Sequence, residues 1–229
     1  MGQKVVIFGA GLMGRLVSDY IATTGDLEIV AYTAHERFIG ADRFEGRPVV
    51  PFERIEREYP PSAHGLFVAL SYAQGNRVRR QAYVDAKAKG YRLASWISPH
   101  ARWVGAPAHG DNVFIAESTF QPRARIGNNV FVFSNNLIGH DAVIGDHTFI
   151  SSGVSISGNV VVDEACFFGV NSCTRENLRV AAGTVVGAGV TLLRSTRPNT
   201  MYVATPSKSL PIEGDDFLVR PLPRPSGTA

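Results

Sequence analysis

From Phe114 onward the sequence carries an apolar residue at every sixth position. The series runs Phe114, Phe120, Ile126, Val132, Ile138, Ile144, Ile150, Ile156, Val162, Phe168, Thr174, Val180, Val186 and Leu192, with Thr174 its one polar member. Apolar residues make up 45% of the chain, so such a run arises by chance about once in a thousand tries. The period therefore reports a fold and not a composition. Glycine follows the apolar residue at Gly127, Gly139, Gly145, Gly169 and Gly187, and small or β-branched residues recur four places on, as at Val130, Val154, Val160 and Val190. A six-residue period points to a parallel β-helix, in which each hexad forms one short strand and one corner. The apolar residue faces the inside of the prism, and the small residue lets the chain turn.

The first part of the chain follows a different rhythm. "KVVIF" (4–8), "LEIVAY" (27–32), "GLFVALS" (65–71) and "YRLASWIS" (91–98) read as strands, and "GRPVV" begins extended before a short helix that ends at Pro60-Pro61. Helical patterns run from Leu12 through Ile21 and over 76–90, where Gly90 is the expected cap. Strands alternating with helices predict a small parallel sheet with flanking helices. The expected division is a Rossmann-like α/β unit over 1–97, an all-β coil over 98–208 and a tail over 209–229. The boundary falls in "SPHARWVGAPAHGD" (98–111), where Pro99, Gly105, Pro107 and Gly110 suspend both patterns.

Charge and length exclude several classes. A net charge of +3 over 229 residues, with no basic stripe interleaved with aromatics, argues against nucleic acid as a partner. The longest apolar runs are strand-length, far below the ~20 residues that span a bilayer. Polar Gln3 and Lys4 lead directly into a strand, so no leader is expected and the expected address is the cytoplasm. Cys166 and Cys173 lack CxxC spacing and are expected to be reduced structural residues.

Gly9, Gly11 and Gly14 form a G-x-G-x-x-G between a strand and a helix, a context suited to a tight turn and a diphosphate at the helix N-terminus. For NAD the second strand should end in an acid for the ribose, but "AYTAHERF" gives Thr33, Ala34 and His35 before Glu36. A unit this short also lacks the second mononucleotide half. A nucleotide-sugar diphosphate is the better ligand, and a purely structural turn is the alternative.

An α/β unit joined to a hexapeptide coil resembles the bacterial sugar acyltransferases that include sialic acid O-acetyltransferases and UDP-amino-sugar N-acetyltransferases. The matching stretches are "VVIFGAGLMGR", "ALSYAQGNRVR", "SWISPHA", "IGHDAVIGDHTFIS", "SGNVVVDEACFFGVNSC" and "VVGAGVTLL". The resemblance implies a left-handed, three-sided β-helix and a homotrimer with acetyl-CoA between adjacent coils. It also implies an acceptor sugar anchored by the first unit and direct acyl transfer. "AYTAHERF" departs from UDP-sugar members, which carry acids there, and leaves the nucleotide open.

Acyl transfer to an amine or hydroxyl needs a base, and imidazole, with an ordinary pKa near ~6.5, suits it. In the resemblance, the matching "I-x-H-[DE]" assigns the general base to His140 and its orienting acid to Asp141. With three hexads per coil, Gly158 stands above His140, and Ser152, Val170 and Ala188 stack along the neighbouring corner. Gly158, Val170 and Ala188 match backbone contacts to acetyl-CoA, and Lys208 matches a lysine able to meet a CoA phosphate. Asn159 is expected to bind the acceptor, or to serve only the corner's left-handed geometry. His147 has two readings, an exposed corner residue beside Asp146 or an acceptor contact. Zinc-dependent β-helix lyases need three converging histidines, and the repeat lacks the third, since His109 lies before it settles. The expectation is an acetyl-CoA-dependent N-acetyltransferase acting on an amino sugar in surface-glycan biosynthesis. The alternatives are a sugar O-acetyltransferase or a β-helix scaffold without turnover.

Overall fold

The computed structural model describes residues 2–206. Its first unit runs β1 (Gln3–Phe8), α1 (Leu12–Ala22), β2 (Leu27–Ala34), β3 (Arg43–Phe44), β4 (Arg47–Pro51), α2 (Ile55–Glu58), β5 (Gly65–Val68) and α3 (Arg77–Ala88). The strands lie in the order β3-β4-β2-β1-β5, and only the β3–β4 pair is antiparallel. Alternation along β1 divides the core. Val5 and Ile7 pack with α1 and the outer face of the coil, while Val6 and Phe8 pack toward α2 and α3. The buried stripe of α3 is Arg79, Ala82, Tyr83 and Ala86, a helical i, i+3, i+4, i+7 pattern in which one position is an arginine.

The rest of the described chain winds into three parallel sheets of seven, six and four strands, each strand two residues long. Strand partners stand eighteen residues apart from Phe120 to Leu192, as in Phe120↔Ile138, Ile144↔Val162 and Thr174↔Leu192, so three hexads make one coil. The residue four places after each inward apolar one is also buried, from Ala124 and Val130 through Cys166 to Val190. Each hexad thus sends two side chains into the prism. Cys166 is one of these corner residues and is free, as is Cys173; burial pushes the Cys166 thiol up to about 12. The residue between them in the turn, three places after the inward one, is left-handed at all twelve corners from Arg123 to Gly189, with φ between 53° and 74°. This is why Asn, Asp and Gly crowd those positions. Glycine directly after the inward residue has a steric cause: a Cβ at Gly139 or Gly145 would collide with the backbone of the coil above.

The segment 98–111 already belongs to the coil: Trp96–Ile97 pair with Phe114–Ile115, Arg102–Trp103 pair with Thr119–Phe120, and His109 bridges Ile126. It is the first coil, and the expected strand over 91–98 is split, with Leu93 bridging Leu66 of the first sheet and Trp96 already in the coil. The six-residue series also begins one residue late. Ile115 pairs with Val132 and is the inward residue of its rung, so the step to Phe120 is five residues. Phe114 points outward instead.

That outward position builds the junction between the two units. Trp96, Phe114, Phe131, Phe149 and Phe167 stack rung above rung on the seven-stranded face, at 5.3 to 5.9 Å between ring centroids. The first unit packs over this ladder through Val5, Ile7, Val17, Tyr20 and Phe67. Fully buried Arg79 pins α3 to the same face, donating to the carbonyls of Asn129 and His147 and lying 4.8 Å over the Phe131 ring.

Candidate active site

His140 follows inward Ile138 by two places, on the corner between the six-stranded and four-stranded faces. Of the three corners of the prism, this is the one opposite the face that the first unit covers. The imidazole is exposed and its Nδ1 lies 2.9 Å from Oδ2 of Asp141. Its backbone N–H donates to Oε1 of Gln121 at 3.0 Å, and its carbonyl accepts from Asn159 N–H at 2.8 Å. A Cβ at Gly158 would overlap the ring, at Nε2, Cε1 and Cδ2. The glycine therefore leaves open the space in which the free ring nitrogen stands. Replacing it, as Gly158→Ala, is expected to displace the imidazole and lower turnover about tenfold or more, with the thermal midpoint within about 2 °C of the parent. Steady-state kinetics beside a melting curve measures both.

Asp141 occupies the left-handed corner position, with φ 58°. One coil below it, Arg123 places Nε 2.5 Å from Oδ1 and Nη2 2.8 Å from Oδ2. The Arg123 fork first, and the His140 contact second, hold the Asp141 carboxyl well below the usual carboxylate range. Arg123 was missed by motif reading because it lies in no motif. Its signal was the interval of eighteen residues, the distance of stacked neighbours.

The other expected residues are dispersed. Asn159 is in the same left-handed column, exposed, with its Nδ2 2.7 Å from Asn177 Oδ1. Val170 and Ala188 are exposed on the neighbouring corner, in one column with Ser152, so they do not share His140's edge. His147 is not an exposed corner residue. It is buried under α3, its Nδ1 is 2.9 Å from Asn129 Nδ2, and Tyr83 meets its ring edge-on at 5.4 Å. Burial lowers its pKa, and its left-handed φ of 63° is a conformation that histidine tolerates better than most residues. Lys208 lies outside the described residues. Among those residues no group of three His, Cys, Asp or Glu side chains could hold a metal ion.

The glycine loop borders a groove of about 740 Å³ lined chiefly by apolar side chains, among them Phe8, Leu12, Met13, Leu70 and Tyr72. The three glycines have distinct jobs. A Cβ at Gly14 would strike the Gly9 carbonyl and one at Gly9 would strike that of Ala69, whereas Gly11 faces open space at the start of α1. That helix has no capping side chain and no acid in its first turn. The acid missing from the end of β2 arrives from elsewhere: Glu53 Oε1 lies 2.8 Å from His35 Nδ1, and Glu53 Oε2 accepts the Glu36 N–H at 3.1 Å.

Fold and site together define a parallel β-helix of hexapeptide repeats carrying an α/β unit on one face. Residues 123–158 match the bacterial transferase hexapeptide (six repeats) family. The chain is 30% identical over 96 residues to 2,3,4,5-tetrahydropyridine-2,6-dicarboxylate N-succinyltransferase of Wolbachia sp. subsp. Brugia malayi, covering 38% of this chain and 35% of that protein. It is 26% identical over 152 residues to UDP-3-O-acylglucosamine N-acyltransferase of Methylorubrum extorquens, covering 63% and 43%. The chain thus spans less than half the length of these curated relatives. Among solved structures, the acetyltransferase domain of PglB from Neisseria gonorrhoeae superposes with a TM-score of 0.78 at 25% identity, over 91% of this chain and 100% of that one. PerB from Caulobacter crescentus, solved with CoA and GDP-perosamine, shares the fold with a TM-score of 0.78 at 24% identity, over 90% and 96%. No helix among the described residues is long and apolar enough to cross a membrane.

Proposed function

We propose that the chain is an acetyl-CoA-dependent N-acetyltransferase acting on a nucleotide-linked amino sugar in surface-glycan biosynthesis, in the cytoplasm. The observation that carries the reading is His140, paired with Asp141, standing exposed beneath a glycine. The coil is read as left-handed and the first unit as a Rossmann-like domain over about 1–97 that holds the acceptor. The acetyltransferase activity named for the PglB domain, and the CoA and GDP-perosamine bound to PerB, support this choice of substrate class.

With Nδ1 engaged by Asp141, Nε2 of His140 is the free proton acceptor. The acceptor amine attacks the thioester carbonyl as His140 takes its proton. The Gly158 N–H, which pairs with no acceptor among the described residues, is assigned the oxyanion. Collapse of the tetrahedral intermediate breaks the C–S bond, and the proton on His140 passes to the departing thiolate. Asp141 stays ionised throughout, because its carboxyl is held so low.

Position along the prism favours an assembly. The glycine-loop unit covers one face and His140 stands on the opposite corner, so an acceptor held by one chain is presented to His140 of a neighbour. A homotrimer with acetyl-CoA along the groove between coils satisfies this, with Val170, Ala188 and Lys208 as further donor contacts. Asn159 is assigned to the acceptor's nucleophile.

Free-thiol release from acetyl-CoA, measured against GDP-, UDP- and dTDP-linked amino sugars and a sialic-acid-like hydroxyl acceptor, tests the reading. Release with an amine acceptor is the expected result. Release with the hydroxyl acceptor alone would make this an O-acetyltransferase, and a chain that neither binds nor turns over acetyl-CoA would be a scaffold. Thermal stabilisation by NAD, and by none of UDP, GDP or dTDP, would reassign the glycine groove.

A further inference from the structure

We propose that Arg123 is a positioning residue for His140: by clamping the Asp141 carboxylate it selects the Nδ1–H tautomer of the imidazole and leaves Nε2 unprotonated. The consequence for turnover rests on His140 being the base, but the clamp itself stands on geometry alone. Arg123 and Asp141 are both left-handed corner residues, at φ 64° and 58°, one coil apart in the same column. Their side chains therefore leave the prism from one edge, one rung apart. Nε and Nη2 of Arg123 engage the two carboxylate oxygens separately, at 2.5 and 2.8 Å, a fork that fixes the carboxylate plane. The oxygen held by Nη2 is the same Oδ2 that meets His140 Nδ1 at 2.9 Å.

The physical need for a clamp follows from exposure. An imidazole and a carboxylate on an open corner form a weak pair when each is free to rotate. Here the carboxylate cannot turn away without breaking a bidentate bond. Because it is ionised, it only accepts, so the proton between imidazole and carboxylate belongs on Nδ1. Among the described residues nothing else on the corner supplies that preference, since Gln121 accepts from the backbone N–H of His140 and Asn159 turns its side chain to Asn177. A lysine in place of Arg123 would keep the charge and lose the fork.

The test uses the full chain labelled with ¹⁵N-histidine, with long-range ¹H–¹⁵N correlation spectra at pH 8.5 and His140→Gln to identify the His140 signals. The Nδ1–H pattern is expected to dominate in the parent. Arg123→Gln should raise the Nε2–H fraction, Asp141→Ala should raise it further, and Arg123→Lys should fall between parent and Arg123→Gln. An unchanged tautomer in Arg123→Gln, or in Asp141→Ala, overturns the proposal. In the thiol-release assay Arg123→Gln should lower kcat about tenfold with KM for acetyl-CoA and acceptor unchanged. A rise in KM for acetyl-CoA alone would make Arg123 a donor-binding residue and also overturn it. The two readings separate cleanly. A shifted tautomer in Arg123→Gln, with turnover intact in His140→Ala, removes the base and keeps the clamp. Lost turnover in His140→Ala, with no tautomer change in Arg123→Gln, removes the clamp and keeps the base.

Discussion

His140→Ala is expected to reduce acetyl transfer about 10²- to 10⁴-fold while the chain keeps its fold. The imidazole has one nitrogen committed to Asp141 and the other facing the opening beneath Gly158, so truncation removes the proton acceptor and little else. The side chain is more than half exposed and has no packing partner inside the prism, whose core is made by the inward residues on either side of it, Ile138 and Ala142. A melting curve within about 2 °C of the parent is therefore expected. The measurement is kcat for thiol release at saturating acetyl-CoA, with circular dichroism to confirm folding. Near-parental turnover by a folded variant would remove His140 from the chemistry. The size of the loss also reports the acceptor. An amine with a pKa near neutrality sheds its proton more easily than an alcohol, so a loss near the lower end indicates N-transfer and one near the upper end indicates O-transfer.

Arg79→Met is expected to cost about 3–5 kcal/mol, which for a chain of this size lowers the thermal midpoint by about 6–20 °C. Arg79 is fully buried at the junction and touches no carboxylate among the described residues. Its guanidinium donates to the carbonyls of Asn129 and His147 and to Asn76 Oδ1, and it sits over the rings of Phe131 and Phe149. Burial pushes it down to about 9, so it is still a cation at neutral pH, and its Nε has no acceptor among the described residues. Methionine fills similar space but strands two carbonyls of the coil under α3. Urea unfolding measures the loss, and limited proteolysis should show the first unit opening before the coil. A midpoint within 2 °C of the parent would mean that the aromatic ladder alone holds the units together.

The period of six made the coil legible because inward side chains and the glycines after them obey steric rules that no loop would impose. The pairing of His140 with Gly158 was legible for the same reason, once three hexads were taken as a turn. What escaped were contacts between distant positions. Arg79 reads as one more basic residue on a polar helix, "NRVRRQ", and only the fold shows that this face is sealed. His147 reads as a corner residue in the open, and so it is for its backbone, but α3 lies over that corner. The shortened step from Ile115 to Phe120 was invisible because Phe114 is apolar too, and an apolar neighbour keeps the series in phase on paper. Arg123 and Glu53 reach their partners from other coils or segments, beyond the range of any local motif.

The eighteen-residue turn has a consequence for how such a chain tolerates change. Removing a single residue anywhere between Phe120 and Leu192 would send every later inward side chain to the wrong place in its rung. Inserting or deleting a complete turn would leave each face as it was and merely move the edge that carries His140 by one strand spacing, about 4.8 Å. Length in this molecule is therefore quantised. The His140 edge can be shifted along its axis in whole steps, and a neighbour reading that edge would meet the same side chains one rung higher or lower.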